Sequence, residues 1–164
     1  MAMAHMPVDE QLLAAIGRVT IRHGFLDWTL NRTIKTLTGI KPDQADYVLG
    51  GEGSASLRRK VLTIAAIRFG KGSDTYKKLK KIIDACDKVT SRRNDFLHSV
   101  WVEVEGNTSL LELRTRNRKP LPKVNEVDSL ATQIHELAER LNEARAKKGF
   151  VAIALKEPNT TSAG

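Results

Sequence analysis

The chain has 164 residues, 41% of them hydrophobic, which suits one ordinary domain with one sizeable core and makes two independent domains unexpected. Lysine and arginine number 27 against 19 aspartates and glutamates, a formal net charge of +8 that makes polyanions natural partners, while an aromatic share of 5% argues against an extended base-stacking platform. Apolar stretches such as Val61 to Phe69 are broken by charge well short of the roughly 20 residues that span a bilayer, so no membrane partner is expected.

Residues 1–7, MAMAHMP, carry neither a basic n-region nor an apolar h-region and read as a disordered N-terminus or an expression scar. With a single cysteine, Cys86, no internal disulfide can form, and a reducing cytoplasm is the expected location. The spacing of Cys86 puts it on a buried helical face, as a core residue.

A domain is expected over residues 8–149. Leu12, Ile16, Val19, Leu26, Leu30 and Leu37 follow three-and-four spacing, which predicts one long amphipathic helix ending at Gly39. Residues 40–53, with one proline and three glycines, read as a connection with a short helical turn at 43–49. Ser54 or Ser56 is placed to cap a second helix whose stripe is Leu57, Val61, Ile64 and Ala65, before the break at Gly70-Lys71-Gly72. Ser73 and Asp74 open a third, in which Leu79, Ile82, Ile83, Cys86, Val89 and Leu97 keep helical periodicity to about Ser99.

The pattern then becomes strand-like at Val100 to Glu105 and Leu110 to Thr115, with Gly106-Asn107-Thr108-Ser109 between them as the loop of a two-stranded hairpin. Trp101 reads as a packing residue of that hairpin. Beyond the basic stretch RTRNRKPLPK, the residues Val127, Leu130, Ile134, Leu137 and Leu141 define a last amphipathic helix ending near Gly149, followed by a loosely held tail over 150–164. The expected fold class is mainly α: an antiparallel four-helix-type bundle with an inserted β-hairpin, at about 100–115, before the last helix.

The third helix ends in Ser91-Arg92-Arg93-Asn94-Asp95-Phe96-Leu97-His98-Ser99, polar where an apolar stripe was running. Asn94 and His98 lie four apart on one face, whereas Arg93 and His98 are about 140° apart on an ideal helix. The two meet only if the helix end is distorted or a second copy of the segment supplies one of them. Brought together, His98 could move a proton, Arg93 could hold a phosphate through its fork of donors and Asn94 could orient either partner, which are the parts of phosphodiester chemistry.

The run RNDFLH, residues 93–98, resembles the HEPN superfamily (higher eukaryotes and prokaryotes nucleotide-binding), whose helical bundles carry arginine, a polar residue, three variable residues and histidine. The similarity covers roughly residues 8–148; the hairpin between motif and last helix departs from the usual pattern. The resemblance implies a homodimeric, metal-independent and cofactor-free RNA endonuclease. In it His98 is the general acid and base, Arg93 the phosphate clamp and Asn94 the orienting group, and the products end in a 2′,3′-cyclic phosphate. It equally admits a non-cleaving module that binds RNA, nucleotides or a partner protein, such as an antitoxin in a toxin–antitoxin or defence system. A purely structural reading also stands: His98 ends the helix, Asn94 caps a local turn, and Arg93 pairs with Asp87 or Asp95.

Basic groups gather at Arg58-Arg59-Lys60, at Lys77-Lys78-Lys80-Lys81 and at Arg114, Arg116, Arg118 and Lys119. The last group, beside the motif, is the expected RNA-guiding surface together with Arg92; solvated helix faces explain the others. His23, in the apolar seam between Val19 and Leu26, reads as a satisfied core histidine that could also approach His98. His135 has no second histidine at ligand spacing, and neither HExxH nor CxxC occurs, so no metal site is expected. Gly50 to Gly53 and Gly70 to Ser73 read as hinges rather than phosphate cradles.

Overall fold

The structure, a computed structural model, describes residues 3–4, 9–41, 43–44, 49–104, 107–111 and 117–157, and at 3–4, 96, 100–104 and 107–108 the backbone alone. Asp9 starts helix α1 (Glu10–Thr38): its carboxylate accepts the otherwise orphaned backbone N–H groups of Gln11 and Leu12 at 2.9 and 3.1 Å. Gly39 ends it in the left-handed conformation, φ +74°, with its N–H on the Lys35 carbonyl, a geometry open to glycine because it lacks a Cβ. Helix α2 (Ser54–Phe69) is preceded by Gly53, not by a side-chain cap. Ser54, expected as that cap, is instead the first helical residue, and its hydroxyl donates to both carboxylate oxygens of Asp27 at 2.6 and 2.7 Å.

Helix α3 (Asp74–Leu97) opens on Ser73, whose hydroxyl accepts the Tyr76 N–H. Helix α4 (Val124–Arg145) opens with Glu126 reaching back to the Lys123 N–H at 2.9 Å, the acidic half of a capping box. Each of these ends is fixed by a residue that satisfies a terminal backbone group, so the expected spans hold to within a few residues.

The hairpin stands before α4, as expected, with a shorter turn. β2 (Val100–Val104) and β3 (Asn107–Leu111) pair antiparallel with Val104 opposite Asn107, so residues 105 and 106 alone join them. Asn107, Thr108 and Ser109, expected as loop, belong to the strand, where they extend the ladder opposite Val104, Glu103 and Val102. Of the expected second strand, residues 112–115 lie outside the described ones, as does Glu105 of the first. Two short strands complete an antiparallel sheet of order β1-β2-β3-β4: β1 (Met3–Ala4), within the stretch expected to be disordered, pairs with Glu103 and Val102, and β4 (Arg118–Pro120) pairs with β3.

The chain divides into two units. The first comprises Met1–His23 and Lys88–Ile134, and it buries the stripe Leu12, Ala15 and Val19 with Val89, Leu110, Val127, Leu130 and Ile134. Each of the larger side chains contributes roughly 1.5–3 kcal/mol on burial. His23 is buried there, Nε2 lying 3.0 Å from the Thr90 hydroxyl, so it is the satisfied core histidine of the sequence reading.

The second unit comprises Gly24–Asp87 and His135–Gly164. It buries Leu26, Leu30, Ile34 and Leu37 with Val61, Leu79, Ile83, Cys86 and Leu141. Ile64, expected in the α2 stripe, is half-buried. Burial pushes the Cys86 thiol up to about 12, which keeps it protonated and inert. Residues 150–154, expected as part of a loose tail, form a short helix α5 (Phe150–Ala154) that is anchored by fully buried Val151. Together these elements give the expected class, mainly α and of helical-bundle type, with an antiparallel hairpin before the last long helix. No helix among the described residues is long and apolar enough to cross a membrane.

Candidate functional site

The motif occupies the last turn of α3, in the first unit. The turn closes with the His98 N–H on the Asn94 carbonyl at 3.1 Å, and the Ser99 hydroxyl donates to the Asp95 carbonyl, so two of the carbonyls left over at a helix end are satisfied. Arg93 is half-buried. One terminal nitrogen, Nη1, donates to Asn94 Oδ1 at 2.9 Å, and its Nε is buried without an acceptor among the described residues. Its partner is therefore neither Asp87 nor Asp95; Asp87, in the second unit, accepts from buried Arg58 at 2.8 Å.

Arg93 and Asn94 thus form a joined pair, while His98, just past the helix, is exposed and its ring is bonded to neither. The described structure brings two of the three motif side chains together and leaves the third facing outward. The angular offset on the helix explains this, because a guanidinium reaches a neighbour at i+1 more readily than one half a turn away at i+5. His23 is held by Thr90, so it supplies no second imidazole to that surface.

Beside the motif is a cavity of about 380 Å³, also in the first unit. Its wall combines Arg92 and Asp95 from α3, Leu110 from β3, Lys119 and Pro120 from β4, and Glu126 from α4. Arg92 donates to Gln133 Oε1 at 3.0 Å, which fixes its guanidinium beside the opening. Arg92 and Lys119, predicted as nucleic-acid contacts from sequence, therefore meet at one place, because Lys119 stands opposite Leu110 in the sheet register. Arg118 is exposed on the same strand; Arg114 and Arg116 lie outside the described residues. Two carboxylates in the wall, Asp95 and Glu126, oppose the two cations, a balance that the count of basic residues alone conceals.

Chemically, the exposed imidazole can exchange protons with a bound group, and the Arg93 fork, oriented by Asn94, can donate to phosphate oxygens. Among the described residues no group of three or more His, Cys, Asp or Glu side chains is placed to hold a metal ion. No protein-family model, curated protein or solved structure matches this chain.

Proposed function

We propose that the chain is a metal-independent RNA endonuclease of HEPN type, acting as a homodimer in which the motif of each protomer faces that of the other. The observation that carries this reading is the arrangement at the end of α3: an Arg93 guanidinium oriented by Asn94, with an exposed His98 imidazole beyond it that has no partner in its own chain among the described residues. A second copy of the same surface would supply the missing proximity between guanidinium and imidazole.

In that cleft the RNA 2′-hydroxyl attacks the adjacent phosphorus and the bond to O5′ breaks, leaving a 2′,3′-cyclic phosphate and a 5′-hydroxyl. His98 takes the proton from the 2′-hydroxyl and delivers one to O5′, while Arg93 stabilises the negative charge that builds on the phosphoryl oxygens. Arg92 and Lys119 hold flanking phosphates, with Arg114, Arg116 and Arg118 extending the same basic segment.

A non-catalytic module that binds RNA, nucleotides or a partner protein such as an antitoxin is the second reading. It is favoured by the Arg93–Asn94 bond, which engages one end of the guanidinium locally without the histidine. Incubation of the purified protein with mixed RNA in excess chelator separates the two. The nuclease yields fragments with cyclic-phosphate ends and loses that activity in His98→Ala, whereas intact RNA, or full activity in His98→Ala, contradicts the proposed role.

A further inference from the structure

A second cavity, of about 400 Å³, lies in the other unit, between α3, α4 and the start of α5. Lys78, Lys81 and Ile82 share one face of α3 at three-and-four spacing, and Arg140, Glu143 and Ala144 do the same on α4. Three cations thus stand around one concavity against one carboxylate. Among the described residues none of the three cations has an ion-pair partner; the neighbouring Lys80, outside the cavity, is the lysine paired with Asp84. The floor is apolar: Ile82 and Ala144 are buried and Phe150 is half-buried.

The cavity exists because Gly149 lets the chain turn back on α4. A Cβ there would overlap the carbonyl oxygens of Glu143 and Ala144, so only glycine brings Phe150 against this wall. Unpaired cations held together repel one another, and an anion seated among them relieves that repulsion.

We infer that this cavity is a binding site for a nucleotide unit, with its phosphate on Lys78, Lys81 and Arg140. The base lies against Phe150 and the apolar floor, and the Glu143 carboxylate accepts a hydrogen bond from a sugar hydroxyl or an exocyclic amine. The volume is within the range of roughly 300–1,000 Å³ usual for small-molecule sites, and an aromatic wall beside clustered cations suits a base with its phosphate. The site stands on the second unit alone and does not depend on the ribonuclease reading. The same chemistry is presented by a free mononucleotide and by one residue of a single strand.

Calorimetric titration of the full-length protein with adenosine 5′-monophosphate, adenosine and a 2′-O-methyl RNA hexamer without terminal phosphates tests it, since none of these is cleavable by attack of a 2′-hydroxyl on a phosphodiester. Saturable binding of the monophosphate alone identifies a free nucleotide as ligand, and binding of the hexamer identifies the strand. In either case Lys78→Ala/Lys81→Ala/Arg140→Ala weakens binding by about tenfold or more, because charge-assisted contacts to phosphate are lost. Arg59→Ala/Lys77→Ala/Lys88→Ala removes the same charge outside the cavity and weakens it less than about threefold, as expected of screened distant charges. Absence of saturable binding, adenosine binding as tightly as its monophosphate, or equal losses in the two triple variants overturns the assignment.

Discussion

Gly149→Ala gives the sharpest test of how the C-terminal segment is held. The backbone of Gly149 is extended, φ −77° and ψ 155°, so alanine suffers no dihedral penalty; the cost is steric, from overlap with the carbonyls of Glu143 and Ala144. These are backbone atoms of α4 and cannot rotate away. The segment must therefore lift, and fully buried Val151 must leave its place. Burying a valine is worth roughly 1.5–3 kcal/mol, so the variant should lose about 2–3 kcal/mol in urea unfolding. That loss corresponds to a fall of roughly 5–10 °C in Tm for a chain of this size. Gly24→Ala is the control: a Cβ there meets nothing within 4 Å inside α1, and the lower backbone entropy of alanine should stabilise by about 0.5–1 kcal/mol. Val151→Ala should be costly alone and nearly neutral beside Gly149→Ala, since the side chain is then already out. A stability for Gly149→Ala within about 0.5 kcal/mol of wild type would refute the steric argument.

Thr90→Val should destabilise by about 1–2 kcal/mol, measured by thermal unfolding, because it removes the buried hydroxyl that meets His23 at 3.0 Å. The Cys86 thiol should resist an aromatic disulfide reagent at pH 8 in the native state and react on unfolding. Its folded value, about 12, lies above the ordinary 9.0, so the folded state holds the proton longer. The resulting stabilisation is complete below pH 9 and is lost as pH rises from 9 toward 12, by at most about 1.4 kcal/mol per pH unit. A Cys86→Ala variant should show a correspondingly shallower loss over that window, and an equal slope would contradict the assignment. By contrast, Asp128→Asn, which breaks the half-exposed pair of Arg18 and Asp128 at 2.7 Å, should change stability by less than about 1 kcal/mol.

The long helices were legible in the sequence from their apolar stripes and from end signals such as Gly39 after the first and Ser73 before the third. The hairpin was legible in kind and displaced in detail. Turn-forming residues at 106–109 suggest a four-residue loop, but ladder pairing draws Asn107, Thr108 and Ser109 into the strand. The short helix α5 escaped because five residues are too few for periodicity to register; its signal was the single glycine before Phe150 and Val151.

At the motif, spacing showed that Arg93 and His98 diverge, and in the structure the guanidinium turns to its sequence neighbour Asn94. The meeting of Arg92 with Lys119 depends on strand register, which no local pattern encodes. Lys78 and Lys81 read as part of a solvated helix face because the cavity they share with Arg140 forms only when α5 folds back.

The reading of the motif as a cleft completed by a second protomer is tested most directly by mixing two inactive variants, Arg93→Ala and His98→Ala, and following RNA cleavage in chelator. If each site joins the guanidinium of one protomer to the imidazole of the other, half of the re-equilibrated dimers carry one intact site, and about a quarter of wild-type activity should return. A mixture no more active than its separate components, from proteins shown to exchange subunits, would contradict it.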